Sequence, residues 1–163
     1  LPGMGKVTVV LTSHFNAAPQ AQTQQRAPQQ KLQLPGVRNV LAVASGKGGV
    51  GKSTTAVNLA LAFQRRGLKT GMLDADIYGP SLPMMLGLEG APALSPDKRM
   101  IPLEKHGLKV LSIGLLTDAS QPVIWRGPMV MGAIEQMLRD GLWEDLDVLV
   151  IDLPPGTGDA QLT

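Results

Sequence analysis

Ser45-Gly-Lys-Gly-Gly-Val-Gly-Lys-Ser-Thr-Thr55 lies between a short apolar run, Val40-Leu-Ala-Val-Ala44, and a helix-forming run, Ala56-Val-Asn-Leu-Ala-Leu-Ala-Phe63. Strand, glycine-rich loop and helix in that order are the setting required by the phosphate-loop pattern G-x-x-x-x-G-K-[ST], which Gly46, Gly51, Lys52 and Ser53 satisfy. Gly46, Gly48, Gly49 and Gly51 remove Cβ atoms where a backbone must curl around a polyphosphate. The amides of this bend, Val50 included, are expected to point inward as an anion nest, with the positive end of the following helix behind them. Lys52 is expected to reach the β- and γ-phosphates of ATP, and Thr54 to add a contact at the α-phosphate. The Ser53 hydroxyl suits Mg²⁺, an oxygen-seeking ion. Lys47 places a second lysine in the loop; the residues alone leave open whether it faces solvent or neutralises charge at the β–γ bridge.

Working outward, the chain alternates strand and helix from Val37 onward. Strands are expected at residues 39–44, 69–73, 108–113 and 147–152. Helices are expected at 52–66, ending at Gly67, at 81–86 and at 128–140, with Pro128 in the first turn. Residues 88–106 hold Pro92, Pro96 and Pro102 and read as irregular, with room for a small hairpin. Near-continuous apolar strands separated by helices predict an α/β fold, a parallel sheet covered by helices on both faces. Val130, Ile134, Met137 and Leu138 recur at helical spacing and read as core. Upstream, residues 1–12 contain the strand-like Lys6-Val-Thr-Val-Val-Leu-Thr12 and read as the tail of a separate small domain. Residues 13–36, with Pro19, Pro28, Pro35 and many glutamines, read as a linker. Residues 37–163 form the first part of the phosphate-loop domain.

Composition bounds the partners. The 163 residues are 44% hydrophobic but only 3% aromatic, so the core must be aliphatic. A net charge of +2 is too mild to imply nucleic-acid or membrane binding. No apolar run approaches the roughly 18 residues that a membrane span needs. Cysteine is absent, which excludes disulfides and thiolate metal sites within these residues. The chain starts at Leu1 and stops at Thr163, soon after an apolar strand, so it is expected to be part of a longer protein.

Three further places fit nucleotide hydrolysis. Asp152 closes the run Val148-Leu-Val-Ile151, the placement of a Walker B aspartate that holds Mg²⁺; an aspartate ending a buried strand also caps turns. Pro154-Pro-Gly-Thr-Gly-Asp159 follows, and the Gly156 amide is expected to sense the γ-phosphate. Asp74-Ala-Asp76 ends the second strand, where ligands of parallel sheets gather. Asp76 suits orientation of the attacking water and Asp74 support of the metal shell, with a turn-forming role open for either.

Together these stretches resemble the Mrp/ApbC/Nbp family of iron–sulfur cluster carrier ATPases, in the MinD/ParA group with a deviant Walker A loop. The resemblance rests on Ser45–Ser53, on Leu73-Asp-Ala-Asp-Ile-Tyr-Gly-Pro-Ser81, on Trp125-Arg-Gly-Pro-Met129 and on Asp152–Asp159. It implies ATP hydrolysis with Mg²⁺ and delivery of a [4Fe-4S] cluster to apoproteins. It also implies a homodimer in which Lys47 reaches the partner's nucleotide, and a cytoplasmic location, or the mitochondrial matrix in a eukaryote. The family's Cys-x-x-Cys pair and adenine loops lie downstream of these motifs, so no cluster ligand falls here; the methionines, His14 and His106 are not expected to replace them. Trp125 and Arg126 suit an interface or a buttress for the switch loop. The competing reading is a ParA/MinD-type positioning ATPase acting on DNA or membrane. A third expectation is that residues 1–163 alone expose a sheet edge, aggregate and bind ATP poorly.

Overall fold

The computed structural model describes residues 34–116 and 127–156. All of them belong to the unit Gln33–Thr163, one of two into which the chain divides. The strand expected at Lys6–Thr12, nearly all of the Pro/Gln segment, Trp125, Arg126 and the residues after Gly156 lie outside the described residues.

The elements run β1 (Val37–Val43), α1 (Lys52–Arg65), β2 (Thr70–Asp74), α2 (Leu82–Leu86), β3 (Leu103–Lys105), β4 (Leu108–Ser112), a 3-10 turn (Ile113–Leu115), α3 (Gly127–Asp140) and β5 (Leu146–Asp152). The sheet order is β1-β5-β2-β4-β3. β1, β5, β2 and β4 are mutually parallel, and β3 pairs antiparallel with β4. Every residue of β2 is buried, because it lies inside the sheet with helices on both faces.

Two aliphatic layers sort by the two-residue period of the strands. Met72, Val110, Val148 and Val150 join Ala56, Val57 and Ala60 of α1 and Leu82 and Leu86 of α2. Leu73, Leu111, Leu149 and Ile151 join Val130, Ile134 and Met137 of α3. Ala56 and Ala60, one turn apart and without accessible surface, let α1 lie close to the sheet. The α/β architecture, the helices on both faces and the apolar stripe of α3 therefore agree with the sequence.

The sheet is parallel-dominated rather than wholly parallel. Leu103–Lys105, expected to be irregular, forms β3 through a two-residue turn at His106 and Gly107, both with positive φ (51° and 75°). Such left-handed pairs match the twist of a hairpin. Glu104 faces Lys109 across it, an opposite-charge pair. The small hairpin anticipated within 88–106 is the bridge between Leu94 and Met100. β1 and β3 are the two edges of the sheet among the described residues, and on β1 Val40 is 51% and Leu41 37% exposed.

Trp143, 1% exposed, locks the base of α3 to the sheet by donating from Nε1 to the Met137 carbonyl at 3.0 Å. Gly141 makes room for it, since a Cβ there would lie 2.4 Å from that nitrogen. Trp143→Ala is expected to cost about 3–5 kcal/mol, checked by urea unfolding of the intact protein followed by circular dichroism.

Candidate nucleotide site

The site forms at the carboxyl ends of the parallel strands. Register puts Val43 beside Asp152, Asp152 beside Asp74, and Asp74 beside Ser112. Four neighbouring strands thus end in one row, and the three polar side chains in it are almost completely buried. The phosphate loop leaves β1 at one end of this row.

Gly49 (φ 74°) and Gly51 (φ 85°) both take the left-handed conformation within the loop. This turns the backbone so that α1 begins at Lys52, and among the described residues no side chain caps its first amides. Those amides suit an anion. Gly46, Lys47, Gly48, Gly49, Val50, Gly51 and Thr54 are exposed, and Ser53 is half-buried. Lys52 differs: it is 9% exposed and folded inward. Its Nζ lies 2.5 Å from Asp152 Oδ1, 3.3 Å from Asp76 Oδ2 and 3.4 Å from Ser53 Oγ. One ammonium group therefore bridges the loop, the end of β5 and the turn after β2.

Asp74 stands beside this triad, engaged with its own loop. Its carboxylate accepts from Ser112 Oγ (2.9 Å), from the Asp76 amide (3.1 Å) and from the Leu82 amide (3.3 Å). Burial pushes its pKa up to about 6; the three hydrogen bonds oppose that rise and the Asp152 charge adds to it. The Gly156 amide, expected at the terminal phosphate, donates to the Ser45 carbonyl at 2.8 Å and so ties the turn after β5 to the start of the loop. Pro155 approaches Gly48 in the same place.

The family model described as the NUBPL iron-transfer P-loop NTPase matches residues 36–163. The chain belongs to this family. It is similar to the iron-sulfur cluster carrier protein of Escherichia coli K12, 60% identical over 131 residues covering 80% of this chain and 36% of the relative. An iron-sulfur protein required for mitochondrial NADH dehydrogenase in Arabidopsis thaliana is 54% identical over 134 residues, covering 82% of this chain and 43% of the relative. Among solved structures, a nucleotide-binding protein from Archaeoglobus fulgidus in complex with ADP superposes with a TM-score of 0.68 at 43% identity, covering 79% of this chain and 49% of that one. The chain thus spans less than half the length of each of these proteins. Between the two readings of the sequence, the iron-transfer family is the one that matches, rather than a positioning ATPase.

Within this NTPase family frame, a magnesium nucleotide fits the donor set. Among the described residues, Asp152 Oδ2 and Asp76 Oδ1 are buried without a hydrogen-bond partner, a costly state that a hard cation and its waters relieve. No cluster of three or more His, Cys, Asp or Glu suited to a metal occurs among the described residues. No helix among them is long and apolar enough to cross a membrane.

Ser112 was not singled out by sequence. The signal for it is the same as for Asp74 and Asp152: a polar residue closing an apolar parallel strand. The lysine–carboxylate contacts also escaped, because they join residues far apart in the chain.

The raised pKa of Asp74 sets a pH dependence. Its folded pKa of about 6 exceeds its ordinary 3.8, so between these values the folded protein holds the proton more tightly than the unfolded chain does. Stability from this group is highest below pH 4 and falls as pH rises through 6, by about 3 kcal/mol at 1.36 kcal/mol per pH unit. Asp74→Asn should flatten that dependence. Urea midpoints of both proteins at pH 4.5 and 7.5 check it.

Proposed function

We propose that this chain is the nucleotide-binding part of an ATP-hydrolysing carrier that assembles iron–sulfur clusters or delivers them to apoproteins. The observation that carries the reading is Lys52: a buried ammonium held by Asp152 and Asp76, beneath an exposed loop of uncapped amides. An ammonium released from these carboxylates onto a β,γ-bridge stabilises the charge that develops as the phosphate transfers.

The loop from Gly46 to Thr54 binds the phosphates, with Ser53 and Asp152 as the residues to hold Mg²⁺, which neutralises charge on the β- and γ-oxygens when bound. Asp76 orients the water, and Asp74 supports that shell indirectly, through the Asp76 amide. The Gly156 amide exchanges the Ser45 carbonyl for the γ-phosphate when ATP enters. Lys47, exposed at the loop, serves the nucleotide of a second copy in a homodimer. The cluster, of [4Fe-4S] type, is cargo bound by thiolates outside residues 1–163, since these contain no cysteine. Resemblance to bacterial carriers and to a mitochondrial relative supports action in the cytoplasm or the matrix.

The test uses the intact protein, reconstituted anaerobically with iron and sulfide and mixed with an apo-ferredoxin. Cluster absorbance should appear on the carrier and pass to the acceptor, with ATP turnover altered by the acceptor or the cargo. Failure to load any cluster would reject the carrier reading.

A further inference from the structure

The corner between β4 and the 3-10 turn touches the Asp76 loop at two independent points. Ser112, 1% exposed, donates its hydroxyl to Asp74 Oδ2 and accepts from the Gly114 amide at 3.1 Å, which leaves the hydroxyl proton directed at the carboxylate. Asp74 in turn holds both ends of the loop, with Oδ1 on the Asp76 amide and Oδ2 on the Leu82 amide at the start of α2. Two residues further on, Gly114 lies under Pro80: a Cβ on it would come within 2.7 and 2.9 Å of the proline ring. Bonds on one side and close packing on the other confine residues 75–81, and Asp76 emerges from them 3.3 Å from Lys52 Nζ.

We propose that Ser112 is a positioning residue for hydrolysis, acting through Asp74 to set where the Asp76 carboxylate stands, with Gly114 as its second support against Pro80. This rests on the reading of Asp76 as the residue that orients water. Ser112 bonds Asp74 and Gly114 packs on Pro80, each acting on the loop that carries Asp76, so the effect belongs to turnover rather than to ATP affinity. A reacting group misplaced by about 1 Å loses on the order of a hundredfold in rate. Loss of one of three hydrogen bonds to Asp74 is a smaller disturbance, so the expected loss is nearer tenfold.

The experiment measures steady-state ATP hydrolysis and thermal midpoint for the intact protein and three variants. Ser112→Ala should lower kcat about tenfold and leave KM for ATP within twofold, an asymmetry that general loosening of the fold does not produce. Ser112→Thr, which restores the hydroxyl, should recover most of the loss. Gly114→Ala should also lower kcat at constant KM by pressing on Pro80, and it decides the matter alone if Ser112→Ala does not fold. Wild-type kcat in Ser112→Ala, or in Gly114→Ala should it stand alone, overturns the proposal; so does an equal loss in Ser112→Thr. If the wild type binds ATP but never hydrolyses it, the hydrolysis reading itself fails and takes this inference with it.

Discussion

Lys52→Ala should reduce ATP turnover by a hundredfold or more, roughly the value of one preorganised donor at a developing charge. It should also destabilise the nucleotide-free protein by about 3–5 kcal/mol, the usual cost of removing one partner from a buried ion pair. Both effects come from one geometry. The ammonium sits between Asp152, which has no exposed surface, and Asp76, and among the described residues each carboxylate already has one oxygen without a hydrogen-bond partner. Without Lys52, two buried carboxylates face each other with no cation between them. Millimolar Mg²⁺ should therefore restore part of the stability but none of the turnover. Urea unfolding with and without Mg²⁺, beside a phosphate-release assay, separates the two effects. A variant as stable as the wild type in Mg²⁺-free buffer would mean that the lysine points into solvent.

Asp76→Ala should act differently. Its carboxylate touches Lys52, and its backbone is held by Asp74. Loss of a group that positions the attacking water lowers kcat by about 10²–10⁴-fold. ATP affinity should change little, because the loop amides, Lys52, Ser53 and Asp152 all remain. Single-turnover hydrolysis and equilibrium ATP binding, measured on the same preparation, decide between this and a purely structural role. Parallel losses of affinity and turnover would assign Asp76 to binding.

The motif at Ser45–Thr55 and the apolar strands were legible because each is a local signal: glycines for a curled backbone, unbroken Val, Leu and Ile for strands covered on both faces. Gly67 at the end of α1, with φ 81°, and the stripe on α3 were legible for the same reason. β3 was not, because its turn places a histidine at positive φ, a conformation for which sequence offers glycine or asparagine as the usual sign. The exchange of partners at the site was also hidden. That Asp74 would spend its oxygens on Ser112 and two amides, while Asp76 and Asp152 took Lys52, depends on the register of four strands distant in the chain. Gly156 illustrates the same limit: the sequence leads to the expectation of a phosphate-sensing turn, and only the fold shows its amide resting on Ser45.

If the glycine loop and the inward-folded Lys52 form a triphosphate pocket, calorimetric titration of the intact protein with ATP and Mg²⁺ should show saturable binding of one ATP per chain, severely weakened by Lys52→Ala. Heat that never saturates, or an isotherm that the substitution leaves unchanged, would contradict it.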